Sequence, residues 1–80
     1  MEIKFSRHAK RRAKLYEIPE SKIVKVLERS EFNQGNQEII EHVEDFAYPL
    51  KIVVVVEDDI ITVVTNYPLK KGKKDESVLR

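Results

Sequence analysis

An α+β fold, β-α-α-β-β-β with two N-terminal helices packed on a mainly antiparallel sheet, is predicted by three features of this sequence. A cation-rich segment from Ser6 to Lys14 has helical spacing and a capping residue at its start. A valine-rich run from Leu50 to Glu57 has the length of a buried strand, and Asp58-Asp59 separates it from a second apolar run, Ile60 to Tyr67. Helical patterns followed by consecutive strands imply helices gathered on one side of a sheet.

Taken in order, Glu2 to Phe5 alternates polar and apolar residues and reads as a short strand with Ile3 and Phe5 on one face. Ser6 is a helix N-cap, although no Glu or Gln follows three residues later to complete a capping box. The first helix is expected to reach about Glu17, because the residue before Pro19 is disfavoured in a helix. Pro19 suits the first position of a second helix, with Glu20 at its positive end. Ile23, Val26 and Leu27 form its inward stripe and Val24 the margin. Gly35 and Asn36 mark a turn before a strand over Gln37 to Val43, and Tyr48-Pro49 breaks the chain again. After Lys51 the run to Glu57 is apolar at alternate and intervening positions alike, which predicts an interior strand covered on both sides. Asp58-Asp59 then turns the chain into a hairpin that Pro68 closes. Residues 1–69 thus make one domain, and 70–80 a basic tail expected to be mobile.

Composition removes several function classes. Eighty residues support a single small core. With no cysteine there is neither a disulfide framework nor thiolate zinc, and a reducing cytoplasm is the expected compartment. Two histidines without clustered ligands give no reason to expect a metal or cofactor, and Asp58-Asp59 reads as a turn. The longest apolar run, Ile52 to Val56, is far short of the roughly 18 residues of a membrane-spanning helix. No secretory leader, Gly-rich phosphate loop or Ser-His-Asp arrangement is recognisable.

Charge is segregated beneath a net value of +1. Residues 1–14 carry six Lys or Arg against Glu2, residues 70–80 five against two acids, and the middle eleven acids against four bases. Cations in a first helical turn oppose the macrodipole at a cost of roughly 0.3–1 kcal/mol each. Arg7 with Arg11 and Lys10 with Lys14 repel at i, i+4 spacing. Such an arrangement makes sense if a polyanion is expected there. The phosphate backbone of a nucleic acid is the first choice, with Lys70 and Lys71 extending the patch if the two ends converge.

At 100° per residue, Arg7, Lys10, Arg11 and Lys14 fall on one side of the first helix. His8, Arg12, Leu15, Tyr16, Ala9 and Ala13 fall on the packed side. His8 and Arg12 are i, i+4 neighbours with two readings: a hydrogen-bonded pair tying helix to sheet, or an RNA-facing acid/base and phosphate clamp. His42, between Glu41 and Glu44, reads as a surface strand residue.

His8-Ala9, Arg12, Ile18, the second helix, and the closing Ile61-Thr62-Val63 with Tyr67 carry a resemblance. They resemble a small bacterial family with a His-Ala-x-x-Arg helix opening, grouped with the RelE/ParE-like, BrnT-like toxin superfamily. Tyr16 stands where that family commonly has a second Arg. The resemblance implies a toxin of a toxin–antitoxin pair, acting on RNA or the ribosome as a metal-independent endoribonuclease or translation inhibitor, with a cognate antitoxin as partner. It further implies catalytic roles for His8, Arg12 and Tyr67, with Lys70 and Lys71 beside the tyrosine. The alternative is a non-catalytic nucleic-acid or protein-binding module on the same fold, since fold does not fix function.

Overall fold

The computed structural model describes residues 2–43 and 46–69. The order is β1 (Glu2–Phe5), α1 (Arg7–Leu15), α2 (Glu20–Arg29), β2 (Gly35–Glu41), β3 (Leu50–Glu57) and β4 (Ile60–Pro68). One four-stranded mixed sheet runs β1-β4-β3-β2. The β2–β3 and β3–β4 pairs are antiparallel, while β1 lies parallel to β4, with Ile3 opposite Ile61 and Phe5 opposite Val63. This parallel pair follows from connectivity, because helices and two further strands intervene before β4 returns beside β1.

Both helices cover the same side of the sheet. Leu50, Ile52, Val54 and Val56 of β3 and Ile61 and Val63 of β4 are buried there. They meet Ala9 and Ala13 of α1, Ile18, and Ile23, Val26 and Leu27 of α2. The expectation that β3 is interior holds, since β2 and β4 flank it. Its covering on both sides does not: Lys51, Val53 and Val55 lie only partly buried on the helix-free side. A small chain with two helices has material for one covering layer.

Ser6 fixes where α1 begins. Its Oγ accepts from the Ala9 N–H at 3.0 Å and donates to the Val64 carbonyl at 3.0 Å. Val64 is the extra residue of a β-bulge, because Val53 pairs with Thr65 while Val54 pairs with Val63. A bulge leaves its extra residue outside the ladder, and the Ser6 hydroxyl satisfies that carbonyl. The shift also turns Asn66 to the helix side, where it is fully buried and its Nδ2 donates to the Ala9 carbonyl at 3.3 Å.

α1 ends at Leu15, two residues before the expected Glu17. The Ile18 N–H bonds to the Ala13 carbonyl at 2.8 Å and the Glu17 N–H to the Lys14 carbonyl at 3.1 Å. This is the Schellman arrangement, with Glu17 at φ 55° in the position usually given to glycine. Pro19 is the N-cap of α2 and not its first helical residue. β2 occupies Gly35–Glu41 instead of Gln37 to Val43: Gly35, at φ 102°, already pairs with Val56, and Val43 leaves the ladder for the core. The Asp58-Asp59 turn is clamped by the Gln34 amide, which donates to the Asp58 carbonyl and accepts from its N–H.

Candidate nucleic-acid interface

α1 approaches β4 closely because its two buried residues are alanines. This narrows its packed side to an arc around Ala9 and Ala13, with Arg12 and Tyr16 half-buried at the margin. His8 and Leu15 do not belong to that side: both are exposed, Leu15 by 66%. A helix resting on two small residues buries a narrower stripe than the half-wheel expected from periodicity. Among the described residues Arg12 finds neither a carboxylate nor a carbonyl; its Nη1 donates to the Tyr16 hydroxyl at 3.3 Å, one turn on.

The outer surface of α1 presents Arg7, His8, Lys10, Arg11 and Lys14, all exposed. Its first turn contains no acidic residue, whereas α2 has Glu20 there. Among the described residues none of these cations forms an ion pair, and the two ion pairs found on exposed surfaces lie elsewhere, Arg29–Glu41 and Lys51–Glu38. Lys70 and Lys71, with the proposed convergence of the two basic ends, lie outside the described residues.

Tyr67 occupies the helix-free side of the sheet, opposite Lys51 in the β3–β4 ladder. Lys51 Nζ lies 3.2 Å from Glu38 Oε1 of β2. Its pKa is raised above the ordinary lysine value, first by the hydrogen bond to Glu38 and further by the neighbouring Tyr67 hydroxyl, against an opposing effect of burial. Glu38, Lys51 and Tyr67 therefore form a row across three strands. Alternation along β4 puts Asn66 under α1 and Tyr67 on the other side, so the sheet separates Tyr67 from the α1 layer that carries His8 and Arg12. The three residues expected to act together are not assembled. Lys51 and Glu38 escaped notice in the sequence because cross-strand neighbours have no fixed sequence spacing, although Lys51 was the one charge interrupting an apolar run.

A third feature lies between α2 and the segment after β2, where Lys22, Lys25, Val26, Arg29, His42 and Val43 line a cavity of about 300 Å³. His42 is exposed, as expected, but sits beyond the end of β2 and beside bases. Spacing of i, i+3, i+7 along α2 carries that signal. Glu41 lies 3.7 Å from Arg29 and offsets its charge.

No group of three His, Cys, Asp or Glu side chains could hold a metal among the described residues. No described helix is long and apolar enough to cross a membrane. Compared with known proteins, the chain matches no family model, no curated sequence and no solved structure. Fold and surface define an α+β domain bearing an unpaired cationic helix face on one layer and a half-apolar sheet face on the other.

Proposed function

We propose that this domain binds RNA through the outer face of α1. The observation that carries this reading is the set of exposed, unpaired cations Arg7, Lys10, Arg11 and Lys14 along one side of α1, with Arg7 and Lys10 in its first turn at the positive end of the helix dipole. Arg7 and Lys10 oppose the dipole, and Arg7 with Arg11 and Lys10 with Lys14 repel at i, i+4 spacing; phosphates on that surface reverse the sign of both effects. The resemblance to RelE/ParE-like proteins supports RNA as the polyanion.

The test is anisotropy titration of a single-stranded RNA oligonucleotide with wild type and an Arg7→Ala, Lys10→Ala, Arg11→Ala, Lys14→Ala variant. Each neutralised phosphate contributes about 0.7 to the salt slope of single-strand binding. Four contacts predict roughly 50-fold loss of wild-type affinity between 50 and 200 mM salt, and near-loss of that dependence in the variant. Equal slopes for both proteins refute the assignment. Retained RNA affinity in the variant, with loss of binding to an acidic peptide, assigns the face to a protein such as an antitoxin.

A second reading, a toxin-type ribonuclease or translation inhibitor, is favoured by the Glu38–Lys51–Tyr67 row. Cleavage through the RNA's own 2′-OH needs a base, cationic stabilisation of the phosphorane-like state and an acid for the leaving oxygen. Glu38, Lys51 and Tyr67 supply those three groups in one place, and His8 takes no part. Under this reading Tyr67→Phe abolishes RNA cleavage after induced expression, His8→Ala does not, and unchanged cleavage in Tyr67→Phe rejects it.

A further inference from the structure

The helix-free side of the sheet has an apolar strip, Val53 and Val55, set between charged residues. It carries Ile60, Thr62, Thr65 and Tyr67 from β4, Lys51, Val53, Val55 and Glu57 from β3, and Glu38 and Ile40 from β2. Ile40 is 58% exposed and Val64, at the bulge, 36%. This face attracts a polyanion less than the outer side of α1 does, since Glu2, Glu38 and Glu57 stand on it beside Lys4 and Lys51.

The ladder register shows what suits it. Val53 and Val55 stand at the centre of β3's open row, with Lys51 one step beyond on one side and Glu57 one step beyond on the other. Consider a two-fold axis lying in the face, perpendicular to the strands, and passing between the two valines. It lays β3 over a second β3 running the opposite way. Val53 then faces the second copy's Val55, and Lys51 faces its Glu57. On β4 the same axis sets Thr62 against Thr65 and Ile60 against Tyr67. Along β3 apolar meets apolar and cation meets anion, the self-complementarity that an isologous interface demands, while at the β2 rim Glu38 meets the second copy's Asn36. The four strands, of four, seven, eight and nine residues, are spaced about 4.8 Å apart and rise about 3.4 Å per residue, which gives roughly 460 Å² per copy. Two such faces bury about 900 Å², below the range of stable specific interfaces and appropriate to a weak, reversible dimer.

We infer that this protein forms a two-fold symmetric homodimer by stacking the helix-free sheet faces, with β3 over β3. The inference does not rest on RNA binding, because α1 lies on the opposite layer and remains exposed in the dimer. It does place Tyr67 and Lys51 inside the interface, so cleavage on that face would require the monomer.

Sedimentation equilibrium of the full chain over a range from about 1 to 500 μM tests it, with thermal melts as the folding control. Wild type should pass from monomer to dimer within that range, as expected for a weak interface of this size. Glu57→Lys sets like charges against the second copy's Lys51 and should raise the dissociation constant at least about tenfold. Lys51→Glu should do the same, and the double exchange should recover wild-type affinity to within about threefold. Persistent monomer at every concentration overturns the dimer. A dimer indifferent to both exchanges, or one the double exchange fails to rescue while folded, overturns the face and the axis.

Discussion

The two sides of β3 are made of nearly the same residues and have opposite fates. Leu50, Ile52, Val54 and Val56 are at most 1% exposed beneath the helices, whereas Val53 and Val55, set between them, are only half-buried on an uncovered face. The covered row is closed because Ala9 and Ala13 let α1 approach, Ser6 pins its start to the bulge, and Ile18 is drawn under its end. Identical valines therefore contribute differently to the monomer according to what lies above them. The row that contributes less to the monomer is the one left open to solvent.

A matched pair of truncations gives the largest test of this contrast. Val54→Ala removes two buried methyl groups and leaves a cavity, and should cost about 2–3 kcal/mol. Val53→Ala, one residue away with the same change in strand propensity, should cost under about 1 kcal/mol in monomer. For a domain of this size each kcal/mol corresponds to roughly 4–8 °C, so melts in dilute solution separate them clearly. Equal losses would mean that the open row is covered after all.

Glu17 gives a smaller effect of opposite sign. It holds φ 55° at the end of α1, a conformation a side chain resists, and no described interaction of its carboxylate compensates. Glu17→Gly should stabilise the domain by about 0.5–1 kcal/mol without altering the open face, measured by urea unfolding. Destabilisation would show that the glutamate side chain itself secures the covering layer.

The smallest effect is the alkaline limb of stability. The Lys51 pKa is higher folded than unfolded, so its stabilisation is fully present below the unfolded value of about 10.4 and is lost as pH rises through the folded value. Lys51→Met should flatten that limb above the ordinary lysine pKa relative to wild type. An identical limb in both proteins would dissociate the lysine from Glu38 and Tyr67.

Much of the architecture was legible because it rests on local chemistry. Ser6 caps α1 as a serine before a helical pattern should, Ile23, Val26 and Leu27 face the core as their spacing requires, and Asp58-Asp59 turns the chain. Residue type and spacing also expressed the charge imbalance of α1. What misled was the breadth of the packed arc: periodicity gives direction but not how closely a partner approaches, so His8 was assigned to a side that Ala9 and Ala13 fill.

By itself, then, the sequence determined the helices, the interior strand, the hairpin and a helix bearing uncompensated cations, each through interactions spanning a few residues. Only the tertiary structure decided that β1 lies parallel to β4, that one face of β3 goes uncovered, and that Glu38, Lys51 and Tyr67 meet while Tyr67 and His8 do not. Those outcomes depend on which strands become neighbours and which side the helices take. The same alternating residues satisfy either side equally until packing selects one.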